Sequence, residues 1–263
     1  PTSDTLSDWS KVTSGFHTSF VDIDTRYPKS VAPDFNPLKS YRLTGWKGEK
    51  LSAQILLWSS EDVRQVECSF SEFKSEKGTL PGNIAQARFV RYVMTDIFDP
   101  GCGNRKPEDF PASLVADMLD NLECFNIDAR TVRPVWITID IPCDVAAGEY
   151  AGTLVVSSQT GKDQKLEIKL NVQNEVLPPA SEWAYHLDLW QHPTAVARMH
   201  NLEIWSGAHF EKMKPLMQLL ADAGQKVITA TLNKEPWNNQ CYDAYADMII
   251  WTKNTDNSWT YDY

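Results

Sequence analysis

Between Val135 and Val172 apolar and polar residues alternate with period two through three successive runs. Val135, Ile137, Ile139 and Ile141 alternate with Trp136, Thr138 and Asp140. Tyr150, Leu154 and Val156 follow, with Gly152 standing where an apolar residue is due. Leu166, Ile168, Leu170 and Val172 then alternate with Glu167, Lys169 and Asn171. A period of two sends one set of side chains to each face of a strand. The connections, Pro142-Cys-Asp-Val-Ala-Ala-Gly148 and Ser157-Ser-Gln-Thr-Gly-Lys-Asp163, are rich in turn formers. Such strands belong in an antiparallel sheet with one solvated face.

Upstream, Leu51 to Trp58 reads as an apolar strand entered through Gly45-Trp-Lys-Gly48, and Val63 to Phe70 and Ala87 to Thr95 alternate again. Together the runs predict an immunoglobulin-like antiparallel β-sandwich over residues 41–178. Residues 1–40 are polar and proline-spotted and read as an extended N-terminal lead lying across the domain. Residues 96–130 interrupt the alternation: Asp99-Pro-Gly-Cys-Gly-Asn104 is turn chemistry, and Ser113 to Leu122 reads as a short helix or an irregular excursion.

Leu177-Pro-Pro-Ala180 ends the sandwich, because two consecutive prolines cannot continue a ladder. Beyond it the grammar changes. Trp183 to Trp190 reads as a strand and Gln191-His-Pro193 as a loop. Ser206 is a suitable N-cap for a helix carrying Phe210, Met213, Leu216, Met217 and Leu220, with Gly224 at its C-terminal cap. Pro215 should kink or split that helix. Lys226 to Leu232 reads as a second strand, Trp237-Asn-Asn-Gln240 as a second loop, and 251–263 as a hairpin. Strand, helix, strand opens a βαβ unit. A closed (β/α) barrel needs about 250 residues, so 179–263 reads as an incomplete (β/α) barrel segment. Its unpaired edges leave self-association open.

Composition excludes some functions. With 25 Lys plus Arg against 35 Asp plus Glu the formal net charge is −10, which repels phosphate backbones and argues against nucleic acid. No run approaches the roughly 18 apolar residues of a membrane span. The polar start, without an apolar signal region, fits a cytosolic chain or a secreted one whose signal segment is removed. The five cysteines match no zinc spacing; Cys102 and Cys124 flank one irregular segment, compatible with a disulfide or with free thiols. Asp22-Ile-Asp24 reads as solvated acids rather than a metal site, and no cofactor motif is present.

Barrel enzymes place their sites at the C-terminal ends of strands. Those positions hold Asp188, Trp190, Gln191 and His192 after the first strand, and Trp237, Asn238 and Asn239 after the second. A carboxylate, amides, an imidazole and indoles suit a sugar, whose hydroxyls seek donors and acceptors and whose ring faces stack on aromatics. The competing reading makes Asp188 a buried structural acid and His192 a plain loop residue. The ten tryptophans serve core and sugar stacking alike.

Three stretches carry a resemblance: Trp183-Ala-Tyr-His-Leu-Asp-Leu-Trp-Gln-His-Pro193, Leu219-Leu-Ala-Asp-Ala-Gly-Gln-Lys-Val-Ile228 and Pro236-Trp-Asn-Asn-Gln240. They resemble glycoside hydrolase family 123, and Gly45-Trp-Lys-Gly-Glu49 and Gly148-Glu-Tyr-Ala-Gly-Thr153 resemble that family's N-terminal domain. The resemblance implies a β-N-acetylgalactosaminidase that retains configuration through the substrate's own acetamido group, and the protein is expected to be secreted, periplasmic or at the cell surface. It also implies an adjacent Asp-Glu pair on a later barrel strand, which maps onto no residue here, so this chain alone is expected to be inactive. Asp188, Trp190, Gln191, His192, Trp237 and Asn238 are then expected to be pocket wall. A non-catalytic module binding glycan or protein through the sandwich is the alternative.

Overall fold

The computed structural model describes residues 8–95, 113–229, 231, 243, 246 and 250–262. The chain divides into two compact units, Pro1–Leu177 and Pro178–Tyr263.

The first unit is a β-sandwich. One sheet has the order β1-β3-β10-β7-β8, formed by Phe16–Val21, Lys50–Ser59, Thr131–Asp140, Ala85–Thr95 and Ser113–Leu119. The other runs β2-β12-β11-β4-β9, formed by Ser40–Lys47, Gln164–Val176, Gly148–Ser157, Val63–Phe70 and Cys124–Ile127, with the short pair β5 (Phe73–Ser75) and β6 (Gly78–Leu80) attached to β11. The alternating runs of the sequence are these strands, and their apolar sets face inward. Ala53, Ile55 and Leu57 of β3, Val135, Ile137 and Ile139 of β10, and Leu166, Ile168 and Leu170 of β12 share one core cluster.

Gly152 occupies the missing apolar position of β11 for a steric reason. A Cβ there would lie 2.5 Å from the fully buried ring of Phe73, so the phenyl group fills the space that the side chain leaves.

Several expectations change. The sandwich is not wholly antiparallel: β12 pairs with β2 in parallel, because the chain passes from β2 in one sheet to β3 in the other across Gly48 and Glu49. Part of the expected lead is itself a strand. β1 pairs along β3 from Phe16↔Ser59 to Val21↔Gln54, hidden in sequence by the polar residues His17, Thr18 and Ser19. Thr18 and Ser19 are nonetheless fully buried, and Ser19 Oγ donates to the Phe20 carbonyl while accepting from Leu38 N–H. The rest of the lead covers the outer face of this sheet, where Trp9, Val12, Val21 and Tyr27 pack on Leu56, Trp58 and Val132. Residues 113–119, read as helix or excursion, form β8 because they complete the edge of β7, from Val90↔Leu119 to Thr95↔Ser113.

The second unit holds two helices, α1 (Pro193–Met199) and α2 (Gly207–Asp222), and the hairpin β13 (Ile250–Lys253) and β14 (Trp259–Asp262). Helix α2 is capped as its sequence predicts: Ser206 Oγ accepts from His209 N–H, and Gly224 takes a φ of +97°. The amides of Gly224 and Gln225 bond back to Ala221 and Leu220, which is a Schellman closure. Pro215 does not split the helix; Pro215 and Glu211 are both exposed, so the carbonyl left without its intrahelical donor faces water. The segments 183–190 and 226–229, read as strands, are extended but form no backbone ladder. Side chains join them instead.

Candidate functional site

The second unit gathers the residues singled out at the first expected strand end. The buried side chain of Gln225, the first residue past Gly224, takes the place of a ladder rung. Its Oε1 accepts from Leu189 N–H at 3.0 Å, and its Nε2 donates to the carbonyls of Leu189 at 3.2 Å and Val227 at 2.7 Å. Lys226 Nζ adds a bond to the Trp183 carbonyl at 2.6 Å. Segments 183–190 and 226–229 therefore lie side by side without strand pairing, since one amide side chain satisfies backbone groups that a ladder would otherwise serve.

Asp188 sits at this junction. Its Oδ2 accepts from Thr229 Oγ1 at 2.6 Å, while Oδ1 is buried with no hydrogen-bond partner among the described residues. Gln191 repeats the pattern: Nε2 donates to the Leu189 carbonyl, and Oε1 is buried without a partner among the described residues. Two acceptor oxygens thus stand ready beside Trp190, whose side chain is 60% exposed. An unsatisfied buried acceptor costs on the order of 1–3 kcal/mol, and a ligand hydroxyl or amide N–H would relieve it.

His192 is placed differently. It is the N-cap of α1, with Nδ1 accepting from Ala195 N–H at 3.4 Å and Nε2 donating to the Asp243 carbonyl at 2.8 Å. This arrangement commits both ring nitrogens to the protein. Asp243 in turn holds Arg198 at 2.5 Å. His209 acts alike at α2, its Nδ1 accepting from Trp205 N–H and its Nε2 donating to the Pro193 carbonyl. Both imidazoles fix backbone.

Trp237, Asn238 and Asn239 lie outside the described residues, as do Cys102 and Cys241. Cys124 is a free thiol; its pairing with Cys102, weighed from the sequence, lies outside the described residues. Sequence reasoning missed Gln225 and Thr229; the signal for Gln225 was its place directly after the capping glycine.

Alongside this junction lies a cleft of about 1020 Å³, lined by Gln191, Trp205, Phe210, Met213, Met217 and Ile228 among others. Among the described residues no cluster of three or more His, Cys, Asp or Glu side chains could hold a metal ion.

Residues 20–158 match the family model of the glycoside hydrolase 123 N-terminal domain, and residues 190–263 match that of the glycoside hydrolase 123 catalytic domain. The chain belongs to glycoside hydrolase family 123. A family 123 glycoside hydrolase from Clostridium perfringens, studied for glycolipid glycan hydrolysis, superposes with a TM-score of 0.82 at 25% identity, over 95% of this chain and 43% of that one. The chain therefore spans less than half the length of that enzyme. AvmM, which catalyses macrocyclization in alchivemycin A biosynthesis, matches at a TM-score of 0.32 and 6% identity over 63% of this chain and 94% of its own. The N-terminal domain of PorA matches at 0.27 and 8%, over 60% and 98%. No curated protein sequence matches the chain.

Proposed function

We propose that the chain supplies the sandwich and the first wall of the catalytic domain of a glycosidase acting on glycans that contain N-acetylgalactosamine. The observation that carries this is the pair of buried, unpartnered acceptors, Asp188 Oδ1 and Gln191 Oε1, beside an exposed tryptophan at the start of the catalytic-domain match. An acetamidosugar offers the complement: hydroxyl and amide donors for the two oxygens and an apolar ring face for Trp190. Asp188 Oδ1 and Gln191 Oε1 accept from the sugar, Trp190 stacks, and His192 keeps the loop in place by capping α1.

The extended segments 183–190 and 226–229, joined by the Asp188–Thr229 hydrogen bond, stand at the opening of the barrel. The acids of bond cleavage lie elsewhere in the enzyme. Residues 178–263 contain no two adjacent acidic residues, so the paired-carboxylate role has no bearer here. Acting on such glycans, the protein works as a secreted, periplasmic or cell-surface enzyme.

The test is hydrolysis of an aryl β-N-acetylgalactosaminide by the natural protein from its source and by these 263 residues. Release of the aryl alcohol by the natural protein and none by the 263 residues is expected. Release by the 263 residues would overturn the placement of the acids. Turnover of a different aryl glycoside alone would overturn the sugar.

A further inference from the structure

We propose that the sandwich carries a second glycan site of its own, a pocket on the outer face of its five-stranded sheet that takes one neutral hexose or hexosamine residue on Trp136. This inference stands on the first unit alone and does not depend on the catalytic reading.

The sheet builds the floor. Trp136 of β10 is paired with Gln54 of β3 on one side and with Arg88 of β7 on the other. All three point away from the core, whose inward positions are Ile55, Val135 and Phe89. The next outward row is also polar, with Thr138 between Ser52 and Gln86. A central indole among amide, hydroxyl and guanidinium groups is an unusual outer face for a sandwich, and it is the composition a pyranose needs. Among the described residues, the Nε of Arg88 beside Trp136 is buried without a partner, and the indole N–H of Trp136 has none either.

The loop after β1 builds the wall. Asp22 folds it into a turn, accepting from Asp24 N–H and Thr25 Oγ1. Gln54 Nε2 then pins it to the sheet through the carbonyls of Asp22 and Thr25, at 2.6 and 3.2 Å. What remains is a pocket of about 510 Å³ floored by Trp136 and Val90 and rimmed by Asp24, Arg26 and Asp117. Ligand pockets run from about 300 to 1,000 Å³. The Asp24 carboxylate has no side-chain partner among the described residues, whereas Asp117 meets Arg26 at 3.4 Å.

These groups select the ligand class. With Asp24 and Asp117 set against Arg26 and Arg88 the site carries no net positive charge, so nothing in it favours phosphate, sulfate or uronic acid over a neutral sugar. A free carboxylate accepts from vicinal hydroxyls, and charge-assisted bonds of this kind are the stronger ones. The aromatic floor takes the apolar ring face.

The experiment is ligand-observed NMR and calorimetry on the 263-residue chain with methyl β-galactoside, methyl β-N-acetylgalactosaminide and glucuronic acid. Binding of at least one neutral glycoside, and none of glucuronic acid, is expected. Trp136→Ala should weaken it about tenfold or more, and Asp24→Asn about tenfold. Asp24 is exposed on a loop, so its variant keeps the test sound if Trp136→Ala lowers stability; unchanged melting of Asp24→Asn is the control. Equal binding by both variants, loss only in Trp190→Ala, binding of glucuronic acid, or no binding at all would each overturn the proposal. Hydrolysis by the natural protein is read separately, so either idea can fall alone.

Discussion

At the scale of single residues, burial determines what the chemistry allows. Cys68 packs against the core, and its burial pushes the thiol up to about 12 from an ordinary 9.0. Cys124 and Cys143 are exposed. Thiolate is the reactive form, so at pH 8 a maleimide should label Cys124 and Cys143 within minutes and leave Cys68 unmodified until the protein is unfolded; mass spectrometry of the labelled peptides reads this. The sign of the linkage follows. A folded-state value raised above the unfolded one gives a contribution that is complete below about pH 9 and lost as pH rises through 12. Wild type should therefore lose stability above pH 9 more steeply than Cys68→Ala, measured by urea unfolding. Gly152→Ala tests the packing in the same way. Its new Cβ would meet the Phe73 ring at 2.5 Å, and Phe73 is enclosed, so overpacking should cost about 1–3 kcal/mol in the same assay.

At the scale of elements, the outcome depended on whether a segment's partners were written in its own sequence. Whereas in β4 a register shift between Val63 and Val66 buries both, the strands β10, β11 and β12 were legible because alternation alone fixes their inward face. β8 was not, since Ser113-Leu-Val-Ala-Asp-Met-Leu119 has no decisive period and becomes a strand only because β7 offers an open edge. β1 was concealed by the polar residues His17, Thr18 and Ser19, of which Ser19 finds its hydrogen bonds inside the fold. Helix α1 was concealed by its seven residues, although Pro193 at its first position and Asn201, with a φ of 51° at its end, are ordinary start and stop signals. In the candidate site, Asp188, Trp190 and Gln191 could be named from sequence because a strand end was expected there. Gln225 could not, because its role lies in reaching a segment 36 residues away. Replacing it tests that role. Gln225→Leu leaves Leu189 N–H and C=O without partners, so the Leu189 amide should exchange with solvent much faster, and the unit should lose about 1–3 kcal/mol. Unchanged exchange at Leu189 would mean that other contacts hold the segment.

At the scale of the whole molecule, the two units differ in how much of themselves they bury. The first encloses a continuous apolar core drawn from both sheets. In the second, Ala197 and Pro193 are the buried apolar side chains among the described residues, while Leu219 and Ile228 are 65% and 67% exposed. Helix α2 and the 226–229 segment thus present apolar surface of the kind that a layered α/β domain covers with further elements. Local opening is governed by buried apolar contact, so the units should respond differently to a protease. Limited digestion of the 263-residue chain should leave a resistant fragment ending near Leu177 and remove 178–263 first, with early cuts between Trp183 and Trp190, where the backbone is extended without a ladder. In the natural protein the same cuts should be slow, because the remaining elements of a family 123 catalytic domain would cover α2. Resistance of 178–263 in a monomer of the 263-residue chain would show that the second unit is stable with the contacts it has. The apolar face of α2 would then need another explanation than burial in a larger barrel.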